Sequence, residues 1–312
     1  MFSQKIRSGS SGLLLYGITP PKSETTAERV AEIAERTIGR LQALDIDALV
    51  VYDVQDESAR TADERPFPFL KAIDPFEYAD GYLHGLDIPK IIYRPAGKFT
   101  RDELTSWLGD LDRNGFHPVF VGVPAPDYPV KTSLPDAYAI WKEAGGNTVI
   151  GAVTIPERHH ALGDEDQRIL AKMASGVSYF ISQCVFNVAY AKQLVDDLAE
   201  TCSKEGKTCP TLIFTLTACG SLKTLKFMEW LGIDVPESLK EDLNRSPNIL
   251  QQSVDMCISI ATELTAYCRQ KEVPFGFNIE SVSIRKEEIE ASVGLVTAIS
   301  NIVRDQKTTI ES

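Results

Sequence analysis

Phe214-Thr-Leu-Thr-Ala-Cys-Gly-Ser-Leu-Lys-Thr-Leu-Lys-Phe-Met-Glu-Trp-Leu-Gly-Ile-Asp-Val-Pro-Glu-Ser-Leu239 reads as an apolar strand that turns into a helix and stops at a proline. Its strand half shows no strict alternation of apolar and polar residues, which is the pattern of a strand covered on both faces. Ser221 stands where an N-cap would accept from the first helical turn. The stretch is one strand–helix step, and steps of the same kind recur along the chain.

Working outward, apolar β-rich runs predict strands at 12–18, 48–53, 90–94, 118–123, 148–154, 177–184, 211–216 and 274–280. Amphipathic stretches predict helices at 25–44, 100–114, 135–144, 164–175, 189–203 and 221–231. A second long helix at 249–272 enlarges the unit before the last strand, and a helix at 286–302 closes the chain. Eight parallel strands with helical crossovers close most simply into a (β/α)8 TIM barrel. The expectation is a single domain over 1–312, with extra helices between strands 7 and 8. A doubly wound sheet would open with a Gly-rich turn into a helix, whereas here the first strand meets Pro20-Pro21.

Composition narrows the function. With 312 residues and 43% hydrophobic content the chain can build one large core. A net charge of -12 argues against a nucleic acid or an anionic membrane as partner, because binding phosphate needs concentrated Lys and Arg. A small-molecule substrate is expected instead, and a homo-oligomer is compatible with the sequence. The N-terminal apolar run is too short for a signal core or a membrane span, so a cytoplasmic location is expected. The six cysteines form no C-x-x-C pair and no zinc spacing, so they are read as reduced thiols with no metal.

In a barrel the catalytic groups stand at the C-terminal ends of the strands. That rule selects a polar, aromatic rim: Tyr16 and Gly17, Tyr52 and Asp53, Tyr93 and Arg94, Val123, Thr154, Gln183, Thr215, and Asn278 with Glu280. Tyr and Thr also end strands simply because they have high β propensity, so position carries the argument.

Several of these positions fall within a collinear series. Tyr16-Gly-Ile-Thr-Pro-Pro-Lys-Ser, then Val51-Tyr-Asp-Val-Gln-Asp-Glu-Ser-Ala-Arg, Lys172 with Ile181-Ser-Gln-Cys-Val-Phe186, and the opening stretch through Gly232-Ile-Asp-Val-Pro236 span nearly the whole chain. Taken together the series resembles the methylenetetrahydrofolate reductase family. The resemblance implies a barrel that holds FAD, and a reduced folate in turn with NAD(P)H, at its top face. It implies substrate contacts at Gln183, where the family's Gln hydrogen-bonds the pterin or the nicotinamide amide. Tyr52, Thr215, Asn278 and Leu222 complete the candidate substrate set. The family reads Tyr-Pro-Glu-x-His where this chain has Ile155-Pro-Glu-Arg-His159, a loop that embraces the flavin. Thr154, Arg158, His159 and Lys172 are therefore the candidate cofactor residues; Lys172 aligns with a Lys on the flavin's ribose or phosphate, and Arg158 can fork onto an anion.

Two departures matter. The family's acid, a Glu three residues before the paired prolines, is replaced by Gly17, and the Asp ending its fourth strand is replaced by Val123. They weaken the case for FAD and call for a substitute acid among Asp53, Glu57 and Glu280. Glu280 comes first, because an acid ending the apolar strand at 275–280 would have its pKa raised by desolvation. The implied activity is oxidoreductase chemistry interconverting 5,10-methylene- and 5-methyl-tetrahydrofolate in one-carbon metabolism. The alternative is a folate- or pterin-binding or regulatory barrel without turnover.

Overall fold

The computed structural model describes residues 1–57, 61, 63–123 and 128–304, so Ser58 to Arg60 of the second landmark lie outside it. Eight strands close in sequence order into a barrel: β1 (Leu13–Ile18), β2 (Ala48–Val51), β3 (Lys90–Pro95), β4 (His117–Val121), β5 (Gly151–Thr154), β6 (Tyr179–Cys184), β7 (Thr211–Thr217) and β8 (Phe275–Glu280). Every adjacent pair is parallel, and β8 returns to β1 with Leu13 opposite Gly276 and Gly17 opposite Glu280. Closure leaves no strand edge unpaired.

Alternation along each strand sorts the core into two layers. Leu14, Leu49, Ile92, Phe120, Phe180, Phe214 and Phe277 point outward and pack beneath the helices. Leu13, Leu15, Val50, Ile91, Val119, Tyr179, Ile181 and Ile213 fill the barrel itself. The lower end is stoppered by α1 (Phe2–Arg7), whose Phe2 and Ile6 are buried in that inner cluster, with Phe2 edge-on to Tyr179 at 5.3 Å.

The outer ring comprises α2 (Ala27–Leu41), α3 (Pro75–Tyr82), α4 (Arg101–Asn114), α5 (Leu134–Ala144), α6 (Pro156–Leu162), α7 (Glu165–Ala174), α8 (Val188–Lys204), α9 (Leu222–Trp230), α10 (Glu237–Arg245), α11 (Ile249–Gln270) and α12 (Lys286–Arg304). Their starts follow from capping chemistry. Thr100 and Glu103 form a reciprocal capping box on α4, Asp74 caps α3 ahead of Pro75, and Ser221 caps α9 as its sequence position requires. The enlarged step between β7 and β8 is α9, α10 and α11. Cys219, Leu225, Met228, Ile233, Val235, Leu243 and Met256 form there a separate apolar cluster that also takes in Cys184 and Phe186.

Four helices differ from the sequence expectation: α10, between the predicted helices at 221–231 and 249–272, and three others. α1 and α3 are too short for periodicity to reveal, and the segment after β5, expected as a loop, forms α6 with Pro156 at its first turn.

The barrel interior is tight enough to restrict its smallest side chains. A Cβ on Gly151 would lie 2.5 Å from the ring of Tyr179, which is fully buried. Gly151→Ala should therefore lower the unfolding free energy by about 1–3 kcal/mol, the usual cost of overpacking, as read from the urea midpoint at unchanged m-value. An unchanged midpoint would mean that Tyr179 can move aside.

Candidate functional site

At the upper end of the barrel the inward positions of four strands meet: Gly17 on β1, Tyr52 just past β2, Thr215 and Thr217 on β7, and Asn278 and Glu280 on β8. The hydrogen bonds joining them have a definite direction. The Thr215 hydroxyl donates to the Ser182 carbonyl at 2.7 Å, so it can only accept from Asn278 Nδ2 at 3.3 Å. The second Asn278 Nδ2 proton goes to the Tyr52 hydroxyl at 2.7 Å, and Tyr52 in turn donates to the Glu280 carboxylate. Cys184 Sγ donates to Glu280 Oε1 at 3.3 Å. Two donors, Tyr52 and Cys184, thus converge on one carboxyl group, while the Thr215 branch ends on the Ser182 carbonyl.

That carboxyl is partly open to the mouth, yet the protein around it raises its pKa, chiefly by desolvation and against the pull of the Tyr52 and Cys184 bonds. None of its contacts is a cation. Burial and the nearby Glu280 also push the Tyr52 hydroxyl and the Cys184 thiol well above their usual values, so both remain donors.

Gly17 makes this arrangement possible. A Cβ there would stand 2.8 Å from Tyr52 Cε2 and 3.2 Å from Glu280 Cβ. The residue that departs from the family pattern is thus the one that lets Tyr52 lean across β1. Glu280 is its direct neighbour in strand register. Tyr93 supports Tyr52 from behind, edge-on at 4.8 Å.

Two polar atoms at this mouth are buried without a partner, Asn278 Oδ1 and Thr217 Oγ1. An orphaned acceptor beside an orphaned hydroxyl suits a flat ligand rich in N–H groups. Gln183 joins from β6; its Nε2 donates to the Leu231 carbonyl at 3.0 Å, which ties it to the end of α9. Leu222, at the first turn of α9, is exposed.

The remaining expected residues stand apart from this ring. Asp53 has its pKa pushed up to about 6 by burial, with Arg94 pulling it down and Asp74 pushing it up, and it accepts from Gln55. Glu57 lies near Arg65, which stacks over Phe227 at 5.0 Å and Trp230 at 5.3 Å, so the segment after β2 packs against α9.

The candidate cofactor residues form a closed network around α6, α7 and α8. Arg158 makes a two-pronged bond with the fully buried Glu165, Nε to Oε2 at 2.6 Å and Nη2 to Oε1 at 2.7 Å. His159, itself buried, bonds Asp197 through Nε2 at 2.8 Å and accepts from the Glu165 amide through Nδ1. Lys172 Nζ donates to the Val153 carbonyl at 2.8 Å, and desolvation lowers its pKa to about 8. Thr154 is buried with its hydroxyl unpartnered. Arg158 and His159 are thus engaged by Glu165 and Asp197, and Lys172 by a backbone carbonyl. With Gly17 and Val123 at the two departed positions, the chain lacks both acidic groups that the resemblance calls for beside a flavin and folate.

Sequence reasoning missed Thr217, Ser182 and Cys184. Thr217 was within reach, since it lies two residues beyond Thr215 on the same face. The other two were not, because β6 carries a register shift between Ile181 and Cys184 that turns Cys184 toward Glu280. Among the described residues no group of three or more His, Cys, Asp or Glu side chains could hold a metal ion, and no helix is long and apolar enough to cross a membrane.

Among solved structures, the chain is similar to an uncharacterised protein from Clostridium thermocellum that binds two copies of 5-methyl-5,6,7,8-tetrahydrofolic acid. The two are 44% identical with a TM-score of 0.83, over 96% of this chain and 98% of that one. This chain belongs to the family of that protein. Two crystal forms of 2,3-dimethylmalate lyase, a PEP mutase/isocitrate lyase superfamily member, are 12% identical to it. Their TM-scores are 0.44 and 0.47, over 85% and 98% of this chain and 96% and 92% of theirs, and likeness at that level carries no argument. No protein-family model and no curated protein matches the sequence.

The raised pKa of Glu280 has a consequence for stability. Folded Glu280 keeps a proton that the unfolded chain releases once the pH passes about 4.5. The group's stabilising contribution is complete below that pH and is lost as the pH climbs through the folded value. Glu280→Gln cannot titrate, so its stability relative to the unsubstituted protein should rise in urea unfolding as the pH climbs above about 4.5. A difference independent of pH would show that the carboxyl titrates normally.

Proposed function

We propose that the protein binds a reduced folate at the upper mouth of the barrel and interconverts 5,10-methylene- and 5-methyl-tetrahydrofolate. In this reading it takes up two folate molecules, as its Clostridium thermocellum relative does, and is a divergent methylenetetrahydrofolate reductase that works without FAD. The observation that carries the reading is Glu280: an acid whose pKa burial raises, opposite Gly17 in register, on the strand adjoining the one where the family keeps its own acid.

The chemistry needs one proton and one hydride. Glu280 gives its proton to N10 of the methylene folate, which opens the five-membered ring and leaves an iminium at N5. A reduced nicotinamide, when bound, would supply the hydride that the exocyclic carbon needs to become the 5-methyl group. Tyr52 and Cys184 stabilise the resulting carboxylate by donating to it. Asn278 Oδ1 and Thr217 Oγ1 receive the amide and amino hydrogens of the pterin, which answers their lack of partners. Asn278 also fixes the Tyr52 hydroxyl, so a single residue couples binding to the state of the acid.

The bonds to Glu280 favour a second reading, a folate-binding barrel without turnover, because the carboxyl already accepts from both Tyr52 and Cys184. The two readings separate on one substitution. Glu280→Gln should retain folate binding in calorimetry and lower the turnover of methylene-tetrahydrofolate with reduced nicotinamide by about 100-fold or more, the scale of a lost general acid. Asn278→Ala should weaken folate binding by about tenfold, or about 1.4 kcal/mol. Absence of turnover in the unsubstituted protein, with folate still bound, would establish the binding role; a colourless preparation that turns over would exclude flavin from the reaction.

A further inference from the structure

A second acid of the upper barrel face takes no part in the proton transfer proposed above. Glu157 stands in the first turn of α6, just past the end of β5, on the face where barrels carry their chemistry. Its Oε2 is buried without a partner. No cation among the described residues comes within ion-pair distance of it, and the adjacent Arg158 is committed to Glu165.

The neighbours of Glu157 place it beside Gln183. Burial pushes its carboxyl up to about 7, its own backbone amide pulls it down, and the nearby Asp234 adds to the rise. Glu157 in turn raises the Cys184 thiol, the group that donates to Glu280. Asp234 accepts from Asn187 Nδ2 at 3.0 Å, and it lies in the turn that begins at Leu231, whose carbonyl takes one Nε2 proton of Gln183. Glu157 thus faces the span between the end of β6 and the turn after α9, where Gln183 also reaches. A buried carboxyl oxygen with no donor there is satisfied by one that enters from the mouth.

The pterin has such a donor on the edge that Asn278 and Thr217 leave over. Those two take the N3–H and the 2-amino group. The other edge carries an acceptor, N1, beside a donor, N8–H. The second proton of Gln183 Nε2 matches N1, and Glu157 matches N8–H. A tetrahydrofolate has that hydrogen. In fully oxidised folic acid N8 is a bare acceptor, and its lone pair would face the carboxylate.

We infer that Glu157 reads the oxidation state of the pterin, accepting the N8–H that a tetrahydrofolate carries and folic acid lacks. The inference rests on the reading that the mouth binds a reduced folate, and it adds the residue that makes the reduced form the preferred one. A site built to pair with a ligand N–H rejects an analogue without it far more strongly than an apolar pocket rejects a missing methylene.

The test is calorimetry of the full chain with 5-methyl-tetrahydrofolate and folic acid as the two probes, above pH 7, where the Glu157 carboxyl is ionised. The quantity read is the ratio of the two affinities in the binding event that Asn278→Ala weakens. The unsubstituted protein should favour 5-methyl-tetrahydrofolate by about tenfold or more. Glu157→Gln, whose amide can donate to a bare N8, should cut that ratio about tenfold, and Glu157→Ala should cut it through weaker binding of 5-methyl-tetrahydrofolate alone. Asn278→Ala should weaken both probes alike, because both carry the N3–H and the 2-amino group. A ratio that both Glu157 variants leave unchanged would overturn the inference with the folate reading intact, and so would equal affinities in the unsubstituted protein. Equal weakening of both probes by the Glu157 variants would assign the residue a purely structural role and overturn it as well. No binding of either probe to the unsubstituted protein would overturn both readings.

Discussion

The hydrogen bond from Tyr52 to Glu280 depends on the absence of a side chain at Gly17. In a parallel barrel the inward positions of neighbouring strands converge, so what one strand leaves out its neighbours can fill. Gly17 faces Glu280 in register, and any Cβ there would collide with the Tyr52 ring. From this one vacancy follow the lean of Tyr52, its bond to Glu280 and the bond it accepts from the Asn278 amide. A change at Gly17 would be felt by each of these in turn.

The barrel was legible in the sequence because strands buried on both faces announce themselves. The run from Phe275 to Glu280 and the one from Thr211 to Thr217 lie within two residues of their expected bounds. What failed to show were elements whose reason for existing is tertiary. α1 has six residues, and its helix makes sense only once Phe2 is seen inside the lower barrel. α6 hides behind a Pro-Glu-Arg-His-His segment whose polarity reads as loop, while Pro156 and His159 are in fact buried.

The site was legible in part, and the division has a physical cause. Tyr52, Thr215, Asn278 and Glu280 could be named because strand ends in a barrel point inward by alternation. Arg158, His159 and Lys172 were expected to face a cofactor, and the structure pairs them with Glu165, Asp197 and the Val153 carbonyl. A charged side chain near a barrel rim can serve a ligand or its own scaffold, and only the position of the opposite charge decides between them. Glu165 lies seven residues from Arg158 and Asp197 lies 38 from His159, so neither partner is visible in the local pattern. The register shift in β6 hid Cys184 for a related reason, since one extra residue changes the face of everything after it.

Gln183 holds the carbonyl of Leu231 at the C-terminal end of α9, the helix of the stretch from which the fold was read. Its amide cannot give that same proton to a ligand and to the helix at once. Nε2 carries a second proton, however, which a group inside the mouth can accept while the first still fastens the α9 roof. Roof and mouth are thus served by separate protons of one amide, which lets α9 keep its hold whether or not the second proton is taken.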